Sequence, residues 1–144
     1  MRLYERERGF RNAPIALLAA SCVWAMALVP AHAEDSSIQS IVGKIKAEAS
    51  TLSDAAHAAH PTVGDIANKA LSLSTTMAGL DPAMKREPDQ ASSHGDALKQ
   101  LAADEINLGL AITSLSDADA GTANDLIAKM AAVADDIKND ASAY

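Results

Sequence analysis

From Ile38 onward the apolar residues recur at alternating steps of three and four. Ile38, Ile41, Val42, Ile45, Ala49, Leu52, Ala56 and Ala59 form the first such run, the spacing that lines one face of an α-helix. It predicts a helix over 37–60, closed by Pro61, because proline disfavours helical geometry in the residue before it. Thr62 then reads as an N-cap, with Asp65 three residues on. Val63, Ile66, Ala70, Leu73, Met77 and Leu80 extend a second helix over 62–79. Gly79, followed by Leu80-Asp81-Pro82, predicts a glycine in the left-handed cap position at its end.

The stretch 81–92 is rich in Pro, Lys, Glu, Asp and Ser without apolar period, and reads as a loop. Ser93 with Asp96 opens a third helix over 93–115. Its seam is Leu98, Leu101, Glu105, Leu108, Ile112 and Leu115, widened by Ala102, Ile106 and Leu110. Ser116 to Gly121 punctuates the chain again. Thr122 with Asp125 caps a fourth helix over 122–141, carrying Leu126, Ile127, Met130, Val133, Ala134, Ile137 and Ala141 on one face. No strand-like alternation interrupts the pattern. Four amphipathic helices joined by two short turns and one longer loop predict an all-α, antiparallel up-down four-helix bundle. Gly43 and Gly109, inside the first and third helices, either mark a close approach between helices or are simply tolerated.

Upstream of this run the text changes character. Arg2, Arg6, Arg8 and Arg11 precede an apolar stretch from Ile15 to Val29, and Ala31-His32-Ala33 supplies small residues at a cleavage site. This is the plan of a secretory signal peptide over 1–33, cut before Glu34 and leaving 34–144 as the mature domain. The apolar stretch is shorter than the roughly 20 residues of a comfortable transmembrane helix, so no stable membrane insertion is expected after cleavage. Ala19-Ala20-Ser21-Cys22 loosely resembles a lipoprotein processing box, but the chain stays apolar through Val29, where a lipid-anchored protein runs into a polar tether. The expected destination is the bacterial periplasm or the exterior.

Cleavage changes the composition that needs explaining. The 144-residue chain has a formal charge of −7, and the mature part keeps 8 basic against 17 acidic residues, a charge of −9. Cys22 and Trp24 leave with the leader, and Tyr144 becomes the sole aromatic residue. Without cysteine there is no disulfide, thiolate metal site or thiol nucleophile. A negative surface without stacking side chains excludes nucleic-acid binding. Serines are plentiful, but no G-x-S-x-G elbow, S-x-x-K pair or phosphate-binding glycine loop occurs, so no enzyme is expected.

Two groups of residues could carry chemistry. Asp54, His57 and His60 follow at three-residue steps near the end of the first helix, a partial ligand set for zinc or copper; imidazoles at a helix C-terminus also favour its dipole with no metal at all. Met77, Met84 and His94 fall toward the opposite pole, a soft set suited to copper or haem; methionine is also common core filler. In plan, the long loop and the His94-Gly95 pair opening the third helix resemble the haem-carrying four-helix bundle cytochromes of the periplasm. That family takes its axial ligands from a methionine early in the first helix and a histidine late in the fourth; neither is present here, so the resemblance covers the bundle and not the ligands. A di-iron carboxylate plan fails as well, since Glu105 is the one acid on a seam of the third helix and Leu108 stands where its histidine partner would be. The expected function is an exported, non-enzymatic interaction or structural module acting through acidic helical surfaces on a protein partner or on itself, with no cofactor. The alternative is a periplasmic bundle carrying copper, zinc or haem.

Overall fold

The computed structural model describes residues 36–144; the leader and its expected cleavage point lie outside them. Six helices follow one another among the described residues: α1 (Ile38–Ala56), α2 (Val63–Met77), α3 (Leu80–Arg86), α4 (Pro88–Ser93), α5 (Gly95–Ser116) and α6 (Ala123–Ser142). Among the described residues there is no strand, and no helix is long and apolar enough to cross a membrane.

α1 and α2 begin where side chains satisfy their first amides, whereas α5, expected to open on Ser93, follows His94 with no side-chain cap because Ser93 closes α4. Ser37 accepts from the Ser40 amide, and Thr62 accepts from the Asp65 amide as its own capping pattern predicts. α6 departs from that prediction. Thr122 is itself helical and gives no side-chain cap; Asp119 accepts instead from the amides of Gly121 and Thr122, each at 2.9 Å, and from the Thr122 hydroxyl at 3.0 Å. Those bonds hold the Asp119 carboxyl below its ordinary value.

The stretch 81–92, expected as a loop, is helical as α3 and α4. Gly79 is right-handed, at φ −73° and ψ −13°, so the chain runs on into α3 rather than stopping at a left-handed cap. A Cβ there would press on the Thr76 carbonyl at 3.1 Å, while Ile41 Cδ1 of α1 would lie at an ordinary 3.7 Å, so glycine answers the crowding of its own preceding turn. Pro82 is tolerated because it sits in the first turn of α3, and Pro88 opens α4. The α3–α4 junction ties down the start of α1: the Ile38 amide donates to Glu87 Oε2 at 3.3 Å, and Arg86 donates to the Ser36 carbonyl at 2.9 Å.

The four long helices pack in a closed order. α1 lies against α2 and α6, and α5 against α2 and α6, while the diagonal pairs meet far less. α3 leans on α1, and α4 bridges α3 to α5. The interior is aliphatic, with Ile45, Leu52, Ile66, Leu73, Met77, Leu101, Leu108, Met130 and Ile137 fully enclosed. Half of the apolar side chains that α6 buries are alanine (Ala131, Ala134 and Ala141), which lets it lie close to α1, its most extensive neighbour. The alanines give high helix propensity but little buried area. Gly43 and Gly109 have nothing within 4 Å of an added Cβ, so they mark tolerance and not close approach.

Candidate functional site

Two polar residues lie in the buried set of the described chain, Ser53 at 6% exposure and Asp104 at 5%. Both turn toward acids of α6. Ser53 Oγ donates to Asp135 Oδ1 at 2.6 Å, joining α1 to α6. His57, at the C-cap of α1, brings Nδ1 to 3.0 Å from the Ser53 carbonyl and 3.3 Å from Ser53 Oγ. A carbonyl only accepts, so Nδ1 carries the proton. The serine proton goes to the carboxylate and the near imidazole nitrogen is a donor. A nucleophile–base pair needs the reverse, with the imidazole taking the serine proton. The three residues fasten α1 to α6 and close its C-terminal turn.

Asp104 is the second junction. It projects from α5 toward Asp136 and Asp140, one turn apart on α6. Its carboxyl is pushed up to about 7, first by burial, then by a side-chain hydrogen bond with Asp140, then by the charges of Asp140 and Asp136. Two carboxyl groups share a hydrogen bond only when one keeps a proton. Asp104 Oδ2 is buried without a hydrogen-bond partner, which adds to the cost of ionising the group. The arrangement can hold a proton near neutral pH between α5 and α6. Glu105, the acid placed on the seam from sequence, is only half-buried, and its carboxyl is raised by burial and by the charge of Asp81. Between Leu101 and Leu108 a step of three then four selects position 104, and four then three selects 105. Periodicity alone did not separate them.

The residues expected to bind metal are distributed as follows. α1 ends at Ala56, so His60 lies past the helix and the three-residue ladder from Asp54 does not continue to it. Asp54 and His60 are exposed, and His57 is turned back on Ser53. Met77 is wholly enclosed in the core, Met84 packs half-buried against it, and the His94 ring lies on Tyr144 with centroids 4.2 Å apart and planes tilted by 34°. Among the described residues no group of three or more His, Cys, Asp or Glu is placed to hold a metal ion.

No family model, curated protein or solved structure matches this chain. Its surface is therefore what bears on function. An open, polar depression of about 360 Å³ lies beside the α4–α5 junction, lined by Ser92, Ser93, His94, Asp96 and Lys99 among others. A second, mainly apolar groove of about 400 Å³ runs between α5 and α6, lined by Asn107, Leu110, Ala111, Leu126, Lys129 and Val133 among others. Asp104 lines neither.

The groove adjoins the one place among the described residues where large aliphatic side chains stand clustered in solvent. Ile106 is 67% exposed and Leu110, one turn on, 64%. Sequence reading assigned both, with Ala102, to a widened core stripe; all three are exposed. The signal was present in the count: apolar residues at 98, 101, 102, 106, 108, 110, 112 and 115 cover too much of the circumference to share one buried face.

Proposed function

We propose that the mature chain is an exported, non-enzymatic interaction module, built as an antiparallel up-down four-helix bundle whose working surface is the outer face of α5 with the adjoining α5–α6 groove. The closed packing order of the four long helices, with short turns inside each hairpin, supports that architecture. The observation that carries the functional reading is the exposure of Ile106 and Leu110 beside an apolar groove. Contiguous exposed apolar side chains mark contact sites more often than singly scattered ones do. The acidic faces expected to make the contact keep the chain soluble and repel nonspecific acidic partners. The polar junctions Ser53–Asp135 and Asp104–Asp140 belong to the helix packing.

A photo-crosslinking amino acid placed at position 110 of the full chain, expressed in its host, tests the reading. Covalent capture of a protein at 110, absent when the same residue replaces Lys46 on the exposed side of α1, supports it. Efficient incorporation at 106 and 110 without any protein adduct overturns it.

A further inference from the structure

The outer face of α5 also says what kind of surface it fits. From Gln100 to Ser116 its exposed residues are Gln100, Ala102, Ala103, Ile106, Asn107, Leu110, Thr113, Ser114 and Ser116, without a charge among them. The two acids in that span, Asp104 and Glu105, are buried and half-buried. It is the longest charge-free exposed stretch among the described helices. Charged residues bound it at both ends, Lys99 and Asp117, each exposed.

Within this face Lys99, Ala103, Ile106, Leu110, Thr113 and Asp117 follow at alternating steps of four and three. They form a second seam opposite the buried one, spaced for helix–helix packing. The seam is self-complementary in the antiparallel sense. A two-fold axis at position 108 sets Ile106 against Leu110, Ala103 against Thr113, and Lys99 against Asp117, all in the same register. Such an axis makes each contact twice, as a two-fold interface requires.

Resting on the interaction-module reading, we propose that the partner of this face is a second copy of the chain: α5 packs antiparallel on α5 of that copy about a two-fold axis near Leu108, with Lys99 of each protomer meeting Asp117 of the other. Charge selects this occupant. A mature chain of net charge −9 repels its own copies through its acidic faces, whereas the α5 face carries no like charge toward its image and closes with opposite charges at both ends. The ion pair that Lys99 makes within its own helix, 3.8 Å from Asp96 with both side chains in solvent, is easily exchanged. Ile106 of one copy meets Leu110 at the rim of the α5–α6 groove, which gives that side chain a place to seat. From 99 to 117 the face is about 27 Å long and one helix wide, smaller than a standard protein interface, so the pairing belongs in the micromolar range.

Sedimentation equilibrium of the protein as its host produces it decides the matter. The expected result is a monomer–dimer equilibrium at micromolar concentration, with Leu110→Glu raising Kd by about tenfold or more. Lys99→Glu and Asp117→Lys should each raise Kd by about three- to tenfold, and the double variant should return it to within about twofold of the parent, because the reversed pair closes again. Leu71→Glu, on the exposed side of α2, leaves Kd unchanged, and far-UV circular dichroism confirms that each variant folds. A chain that stays monomeric to about 200 µM, far above the Kd expected for such a face, overturns the proposal. So does a dimer indifferent to Leu110→Glu, or one in which the double charge reversal fails to recover. If the chain is monomeric yet position 110 still crosslinks to another protein, self-pairing falls and the module reading stands.

Discussion

Replacing Asp104 by asparagine should make the protein more stable at pH 8 and leave it nearly unchanged at pH 4. The carboxyl is raised from 3.8 to about 7 in the folded chain, chiefly by burial and then by Asp140 and Asp136. A group whose folded value lies above its unfolded one gives its full contribution to stability below the unfolded value. That contribution is lost as the pH climbs through the folded one. The window therefore opens near pH 4 and closes just above pH 7. Three units at about 1.4 kcal/mol each set a ceiling of about 4 kcal/mol. The effective dielectric of a real protein interior, well above that of a dry one, reduces this to about 2 kcal/mol. Asparagine keeps the shape, carries no charge and can donate to Asp140 as the protonated acid does. Urea unfolding of both proteins at pH 4, 5.5, 7 and 8 isolates the effect, since groups common to both largely cancel in the difference. The asparagine variant should gain on the parent between pH 4 and 7 and hold a constant advantage beyond. Parallel stability curves would refute the reasoning.

Three substitutions probe the packing. Gly43→Ala, in the middle of α1 with open space around the added methyl, should stabilise the protein by up to about 1 kcal/mol in the same urea titration. Gly79→Ala should do the opposite and lower the thermal midpoint, because its Cβ would press on the Thr76 carbonyl at 3.1 Å. Leu108→Ala, fully enclosed between α5 and its neighbours, should cost about 3 kcal/mol through lost transfer energy and the cavity left behind.

Much of this architecture was legible in the order of residues. The buried faces of α1, α2 and α6 fall on the predicted stripes, apart from Ala59 past the end of α1 and Val63 at the start of α2, which are exposed, because a 3.6-residue turn ties spacing to direction. Thr62 caps α2 because a side-chain oxygen at that point meets an otherwise unbonded amide. The stretch 81–92 resisted because α3 and α4 are too short to display a period, and Leu80 and Ala83 are the residues they bury. Gly79 misled because a glycine before an apolar residue and a proline suits a left-handed cap as well as a tight helical contact. Asp104 and Glu105 were indistinguishable by spacing; only the position of α6 decides which one turns inward. Ile106 and Leu110 were read as core because hydrophobicity does not say which of two faces is covered, and their exposure is what brought the outer side of α5 into view.

Hydroxyl-radical footprinting of the protein inside its host cells, set against the purified protein at low concentration, tests most directly whether that side of α5 is the working surface. Leu71, 52% exposed on α2, serves as the internal reference. The account predicts that Ile106 and Leu110 are shielded from oxidation in cells while Leu71 stays as reactive as in dilute solution. Equal labelling of all three residues under both conditions would contradict it.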